Sequence, residues 1–123
     1  MSKVILIIED DDFLQGLEAT KLRKEGYEVL TASDSVEAFK KINNESKIDL
    51  ILLDLLLPDV NGFTILKKIK GIENLKNIPV IIFSNLSEEK DIEEAKKLGV
   101  SDFMVKSNFT LDELAQKIKA LIP

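Results

Sequence analysis

Leu50-Ile51-Leu52-Leu53 is an unbroken apolar run that stops at a carboxylate, Asp54. Such a run lacks the polar alternation of a strand with one wet face. It reads as a strand covered on both sides, as in a parallel sheet. Turn-forming residues follow at Pro58, Asp59, Asn61 and Gly62. An acid directly after a buried strand and facing a turn is well placed to react, and the rest of the chain can be read around it.

Two other runs share this character. Val4 to Ile8 is apolar and mostly β-branched, and it ends at Glu9-Asp10-Asp11-Asp12. Pro79 opens Val80-Ile81-Ile82-Phe83, which ends at Ser84-Asn85; proline is acceptable at the first position of a strand. Weaker strands are expected at Tyr27 to Thr31 and at Phe103-Met104-Val105, the latter ending at Lys106.

Helices are expected between the strands. In the first, Phe13, Leu14, Leu17 and Leu22 fall roughly on one face. Asp11 and Asp12 suit its start, Lys21, Arg23 and Lys24 suit its end, and Gly26 stops it. The second starts within Ser33 to Ser35, carries Val36, Phe39 and Ile42, and ends at Asn43-Asn44. The third runs from Gly62 through Ile65, Leu66 and Ile69 to near Gly71. Residues 72–77 are read as a loop. The fourth is capped by Ser87 and carries Ile92, Ala95 and Leu98 before Gly99. The fifth opens on a capping box, Thr110 with Glu113, and carries Leu111, Leu114, Ile118 and Leu121.

Five strands alternating with five helices imply parallel strands, right-handed crossovers and helices on both faces. The expected fold is α/β, a flavodoxin-like (βα)5 domain over residues 1–123 with strand order 2-1-3-4-5. That order is taken over from doubly wound sheets of this kind. No output domain is expected in the chain. Its start turns acidic at Glu9 and reads as a first strand rather than a signal peptide, which makes a cytoplasmic protein the default.

Composition narrows the chemistry. The 123 residues include neither Cys nor His. That removes thiolate chemistry, the commonest general base and the commonest zinc ligand. A metal would be held by oxygen, which favours Mg²⁺, Mn²⁺ or Ca²⁺. The net charge of −5 argues against binding nucleic acid or an anionic membrane directly.

The residues that follow the strands are Glu9 and Asp10, Asp54, Ser84 and Lys106. All lie at carboxyl ends of strands, where open α/β sheets bind ligands. In the expected order, strands one and three are neighbours, so Glu9, Asp10 and Asp54 share a pocket. Two unit charges about 4 Å apart repel by about 4 kcal/mol at an effective dielectric of about 20. A divalent cation removes that cost, and Mg²⁺ suits the oxygen ligands. Together with Lys106 it would make a binding site for a phosphoryl group beside Asp54. A carboxylate oxygen could attack phosphorus there, and Ser84 could donate a hydrogen bond to a phosphoryl oxygen.

Glu9-Asp10, Asp54 with Leu57-Pro58 and Gly62, Ser84, Phe103 and Lys106 occur in an order and spacing that resemble the two-component response-regulator receiver family, of the chemotaxis-Y-like single-domain kind. The likeness covers essentially the whole chain. It implies that Asp54 is the phosphoacceptor, charged by a histidine kinase or a histidine phosphotransfer protein. It implies Mg²⁺, with Mn²⁺ able to substitute, on Asp10, Asp54 and the backbone carbonyl of Leu56, with Glu9 acting partly through water. Ser84 and Lys106 would contact the phosphoryl oxygens. Movement of Ser84 would let Phe103 turn inward and reshape the face of helix four, strand five and helix five, where a downstream protein partner binds.

One position departs from the family. Ser107 follows Lys106 where such domains usually carry proline, often after a cis bond. A non-proline cis bond costs roughly 2.5–4 kcal/mol, so either the bond is trans or packing holds the strain. Leu56 and Leu86 occupy the positions that border the path of attacking water in related domains. Neither can orient water, which implies slow self-dephosphorylation.

Plainer roles suit several residues. Asp11 and Asp12 read as helix-start acids, Asp59 and Asn61 as turn formers, and Phe103 as a core aromatic before it is a switch. The competing function is a receiver-like interaction module that works without phosphorylation, supported mainly by Ser107. A phosphohydrolase with an aspartyl-phosphate intermediate would commonly carry a second Asp where Leu56 stands. A flavin site lacks its phosphate loop, and the four acids after strand one would repel a phosphate.

Overall fold

The apolar runs lie side by side in one parallel sheet. A computed structural model describes residues 2–44 and 47–123. Met1, the first residue of the segment read as leading into the first strand, lies outside the described residues. The elements in chain order are β1 (Val4–Ile8), α1 (Asp12–Lys24), β2 (Glu28–Ala32), α2 (Ser35–Asn44), β3 (Leu50–Leu53) and α3 (Gly62–Lys70). They continue with β4 (Val80–Ser84), α4 (Glu89–Lys97), β5 (Asp102–Val105), a 3₁₀ turn (Lys106–Asn108) and α5 (Leu111–Leu121).

The strand order is β2-β1-β3-β4-β5, with every pair parallel. This is the expected flavodoxin-like arrangement. β1, β3 and β4 are buried along their whole length because helices cover both faces. Alternate residues serve opposite sides. Leu6, Ile8, Ile51, Leu53, Val80 and Ile82 pack with apolar residues of α2, α3 and α4. Ile5, Ile7, Leu50, Leu52, Ile81 and Phe83 pack with α1 and α5.

Register brings the site together. Ile8 lies opposite Leu53 in the β1–β3 ladder, and the N–H of Asp54 donates to the carbonyl of Ile8 at 3.0 Å. The two strands therefore end level, and their terminal acids emerge side by side.

Three expectations about the helices need correction. On α1, Phe13 is 78% and Leu17 43% exposed, whereas Glu18, Ala19 and Leu22 are buried. The inward face is rotated from the one suggested by the apolar residues, and Glu18 sits on it. On α2, Val36 is exposed, and Ala38 and Ile42 supply the buried contacts. Finally, α4 starts after Glu88 rather than at a Ser87 cap. The carbonyl of Glu88 accepts from the N–H groups of Asp91 and Ile92, and no side chain caps the helix.

β2 begins one residue later than expected. The N–H of Tyr27 is taken by the carbonyl of Leu22 at the end of α1, through a turn in which Gly26 has φ +99°. Glu28 is then the first residue free to join the sheet. The expected caps at Asp11 and the Thr110–Glu113 capping box are both present.

Candidate functional site

Asp54 is 4% exposed, and both of its carboxylate oxygens have protein partners. Ser84 Oγ donates to Oδ1 at 2.7 Å, and the N–H of Leu56 donates to the same oxygen at 3.0 Å. Lys106 Nζ donates to Oδ2 at 2.6 Å. The three donors come from the end of β4, the β3–α3 loop and the first residue after β5. The sheet order, rather than proximity in sequence, brings them together.

Lys106 also reaches Glu9 Oε1 at 2.6 Å, so one ammonium bridges two nearly buried carboxylates. The other oxygen of Glu9 accepts from the N–H of Asp11 at 3.1 Å. Burial raises the Glu9 pKa above the usual carboxylate range. Its hydrogen bond from Lys106 acts the other way without cancelling that effect. Burial opposes the charged form of Lys106, but hydrogen bonds to Asp54 and Glu9 more than offset it and hold its pKa up.

Asp10 is exposed at the rim. Glu9, Asp10 and Asp54 each offer a carboxylate oxygen within 4.8 Å of the others. This all-oxygen donor set fits a hard divalent cation, which would offset its clustered negative charge. Among the described residues, Lys106 is the ammonium that already supplies part of that compensation.

Glu9, Asp10, Asp54, Leu56, Ser84 and Lys106 all lie at this edge, whereas Phe103 lies within β5. Ser107 does not divert Lys106: no peptide bond among the described residues is cis, and a 3₁₀ turn follows the strand. Phe103 is half-buried against the apolar cluster on the α4 side of the sheet, so it is not a fully enclosed core residue. Leu56 is 49% exposed, and with Leu86 it lines a hollow of about 460 Å³ beside the β3–α3 loop.

That loop is held closely. The N–H of Gly62 donates to the carbonyl of Leu55 at 3.0 Å, and Leu56 pairs with Asn61 in an isolated antiparallel bridge. A Cβ on Gly62 would stand 2.4 Å from Leu55 Cα, so glycine is required by close approach. Asn61 also caps α3 by accepting from the N–H of Phe63. Asp59 does more than form a turn: it accepts from the backbone and hydroxyl of Ser35 at the start of α2.

Three contributors were not evident from the sequence. Gln15 donates to the backbone carbonyl of Glu9 at 2.8 Å and to Ser33 Oγ at 3.2 Å, tying α1 to the strand ends. The Ser35–Asp59 link is the second. Glu18, buried on the inward face of α1, is the third. The spacing Gln15, Glu18, Ala19, Leu22 is a helical face that could have flagged Gln15 and Glu18, but polar residues on it do not register as an apolar stripe.

A family model described as "Response regulator receiver domain" matches residues 5–119. The chain is 34% identical over 122 residues to the alkaline phosphatase synthesis transcriptional regulatory protein PhoP of Bacillus subtilis, covering 99% of this chain and 49% of that protein. It is also 34% identical over 123 residues to sporulation initiation phosphotransferase F of the same organism, covering 100% of this chain and 96% of that one. Among solved structures, the Mn²⁺-bound form of response regulator Rcp1 matches with a TM-score of 0.83 and 30% identity, over 96% of this chain and 92% of that one. The chain spans about half the length of the first of these relatives and nearly all of the second.

Proposed function

The chain belongs to the response regulator receiver family, the phosphoacceptor domains of two-component signalling, and on that premise we propose that Asp54 is the residue that takes the phosphoryl group. The observation that carries this reading is the engagement of both Asp54 oxygens, by Ser84 on one and Lys106 on the other. An incoming phosphoryl group meets a fixed carboxylate with a hydroxyl and an ammonium already beside it.

The phosphoryl donor is a histidine kinase or a histidine phosphotransfer protein. An Asp54 oxygen attacks phosphorus, the bond from phosphorus to the donor histidine nitrogen breaks, and an acyl phosphate forms. No proton has to leave Asp54, so the lack of a histidine base costs nothing. Ser84 and Lys106 then donate to the phosphoryl oxygens, and Lys106 offsets their charge.

Asp10, Asp54 and the Leu56 carbonyl would hold Mg²⁺, with Glu9 acting partly through water and Mn²⁺ able to substitute. When bound, the cation offsets the charge of the acids and of the phosphoryl group. The domain is a regulator whose own chemistry is limited to gaining and losing this group, and it acts in the cytoplasm.

The output follows from Ser84. Drawn toward the phosphoryl group, it gives up its bond to Asp54 and makes room for Phe103 to turn inward. The face of α4, β5 and α5 then changes shape for a downstream protein partner.

Mass spectrometry after incubation with a small-molecule phosphodonor and Mg²⁺ tests the assignment. The native chain should gain one phosphoryl group and Asp54→Ala none. A native chain that binds the cation but gains no phosphoryl group would overturn it, and so would equal gain by both proteins.

A further inference from the structure

Glu18 carries a carboxyl group into an apolar layer. It lies on the sheet-facing side of α1, beside Ala19 and Leu22, and is 1% exposed. Its Oε1 has no hydrogen-bond partner among the described residues. The sheet contributes Ile7, Leu52, Phe83 and Met104 to this side, and α5 contributes Leu114 and Ile118. None of these side chains can donate to a carboxylate. An ionised, unpartnered carboxyl in such a place is costly.

Most of the charged groups that bear on Glu18 belong to the functional site. Glu9 at the end of β1, Asp54 at the end of β3 and Asp11 at the start of α1 oppose its ionisation. Lys106 after β5 favours it. α5 adds only apolar side chains to this cluster. Burial, and then Glu9, push the Glu18 carboxyl up to about 8. Glu18 makes no hydrogen bond to Glu9, Asp10 or Asp54, and it lies eight residues beyond Asp10, so it acts on the site only through space.

We propose that Glu18 is a concealed fourth acid of the divalent-cation site, a positioning charge that touches no ligand but strengthens cation binding at Glu9, Asp10 and Asp54 when ionised. By linkage, its proton is released when the site takes up a cation. The sign is fixed by Coulomb's law: a negative charge behind the acids favours a dication in front of them. This inference rests on the reading of the acidic cluster as a divalent-cation site. It makes cation affinity depend on pH in a range where ordinary carboxylates are already ionised.

The test is Mg²⁺ titration, read from Ile and Leu methyl resonances, of the native chain, Glu18→Gln and Glu18→Leu between about pH 6.5 and about pH 9. The native affinity should rise over that range by roughly tenfold, a coupling of ordinary size. Both variants should lose most of that rise. The same profile in the native chain and the variants would overturn the role of Glu18 and leave the cation site standing. No Mg²⁺ binding by the native chain at any pH would overturn the cation reading and this inference with it. A second readout needs no variant. With ¹³C-labelled Glu, the Glu18 carboxyl resonance should titrate at lower pH in saturating Mg²⁺ than without it, and an unchanged midpoint would overturn the proposal.

Discussion

Lys106 Nζ meets Asp54 Oδ2 at 2.6 Å across the carboxyl edge of the sheet, and the same ammonium holds Glu9 Oε1 at 2.6 Å. Lys106 therefore occupies part of the negative field that a divalent cation would use. It offsets part of their charge now and would have to share them with a cation. On the proposed reading, the residue that would serve the phosphoryl group would also compete with the cation for these acids.

Replacing Lys106 by Met should separate these effects. Without a divalent cation, two nearly buried carboxylates lose their counter-charge, and stability should fall by roughly 3 kcal/mol. Mg²⁺ should bind several-fold more tightly to Lys106→Met than to the native chain, because its competitor is gone. Phosphoryl uptake should nevertheless slow by at least about tenfold, as expected for loss of a charge-stabilising donor. Urea unfolding with and without Mg²⁺, together with phosphorylation rates, gives all three quantities. Weaker Mg²⁺ binding in the variant would show that Lys106 does not compete for the acids.

Gly62→Ala probes the loop that would present the Leu56 carbonyl. The new methyl would meet backbone atoms of Leu55 at 2.4 to 2.9 Å, and backbone cannot swing aside as a flexible side chain can. The strain should cost about 1–3 kcal/mol of stability. Displacement of the loop should also lower Mg²⁺ affinity, even though residue 62 itself is no ligand. Unfolding and Mg²⁺ titration check the two effects, and stability lost with affinity unchanged would detach the loop from the cation site.

The strands, and the placement of Glu9, Asp54, Ser84 and Lys106 at the carboxyl ends of four of them, were legible because buried parallel strands are continuous apolar runs whose stops are visible. Leu50 to Leu53 followed by Asp54 needed nothing beyond the sequence. Faces of amphipathic helices were less legible. Phe13 and Leu17 looked like core residues of α1, yet they are exposed, and Glu18 is buried instead. Hydrophobic patterning assigns a face by its apolar members, so a carboxyl group on the inward face is invisible to it. The Ser35–Asp59 link joins segments 24 residues apart and depends on the placement of α2 beside the β3–α3 loop. No local pattern encodes such a contact.

Leu56 and Leu86 bear on how long a phosphoryl group would stay on Asp54. Leu56 is half-exposed and Leu86 half-buried at the same hollow, and neither side chain can hydrogen-bond a water molecule. The acyl phosphate should therefore persist. Leu56→Asn combined with Leu86→Gln should shorten its half-life by roughly tenfold or more, since orienting an attacking water is general-base-like assistance. Loss of phosphate followed by mass spectrometry gives the comparison. Rapid loss in the native chain would end the argument from these two residues.

Glu18 also makes stability depend on pH. Folding raises its pKa from the ordinary 4.5 to about 8, because burial disfavours the charged form. Between those values the folded chain keeps a proton that the unfolded chain has released. The stability contributed by protonated Glu18 is therefore whole below about pH 4.5, declines across the window and is gone above about pH 8. Each pH unit of the window is worth about 1.4 kcal/mol, so the full effect is of order 5 kcal/mol. Glu9, whose pKa is also raised, tilts the profile in the same direction, so the native curve alone does not isolate Glu18. Glu18→Leu does. It removes the proton linkage and leaves a side chain suited to the apolar layer. The variant should gain on the native chain by several kcal/mol as pH rises from about 5 to about 8. Urea unfolding of both proteins across that range measures the difference, and parallel curves would mean that Glu18 is ionised at little cost in the folded chain.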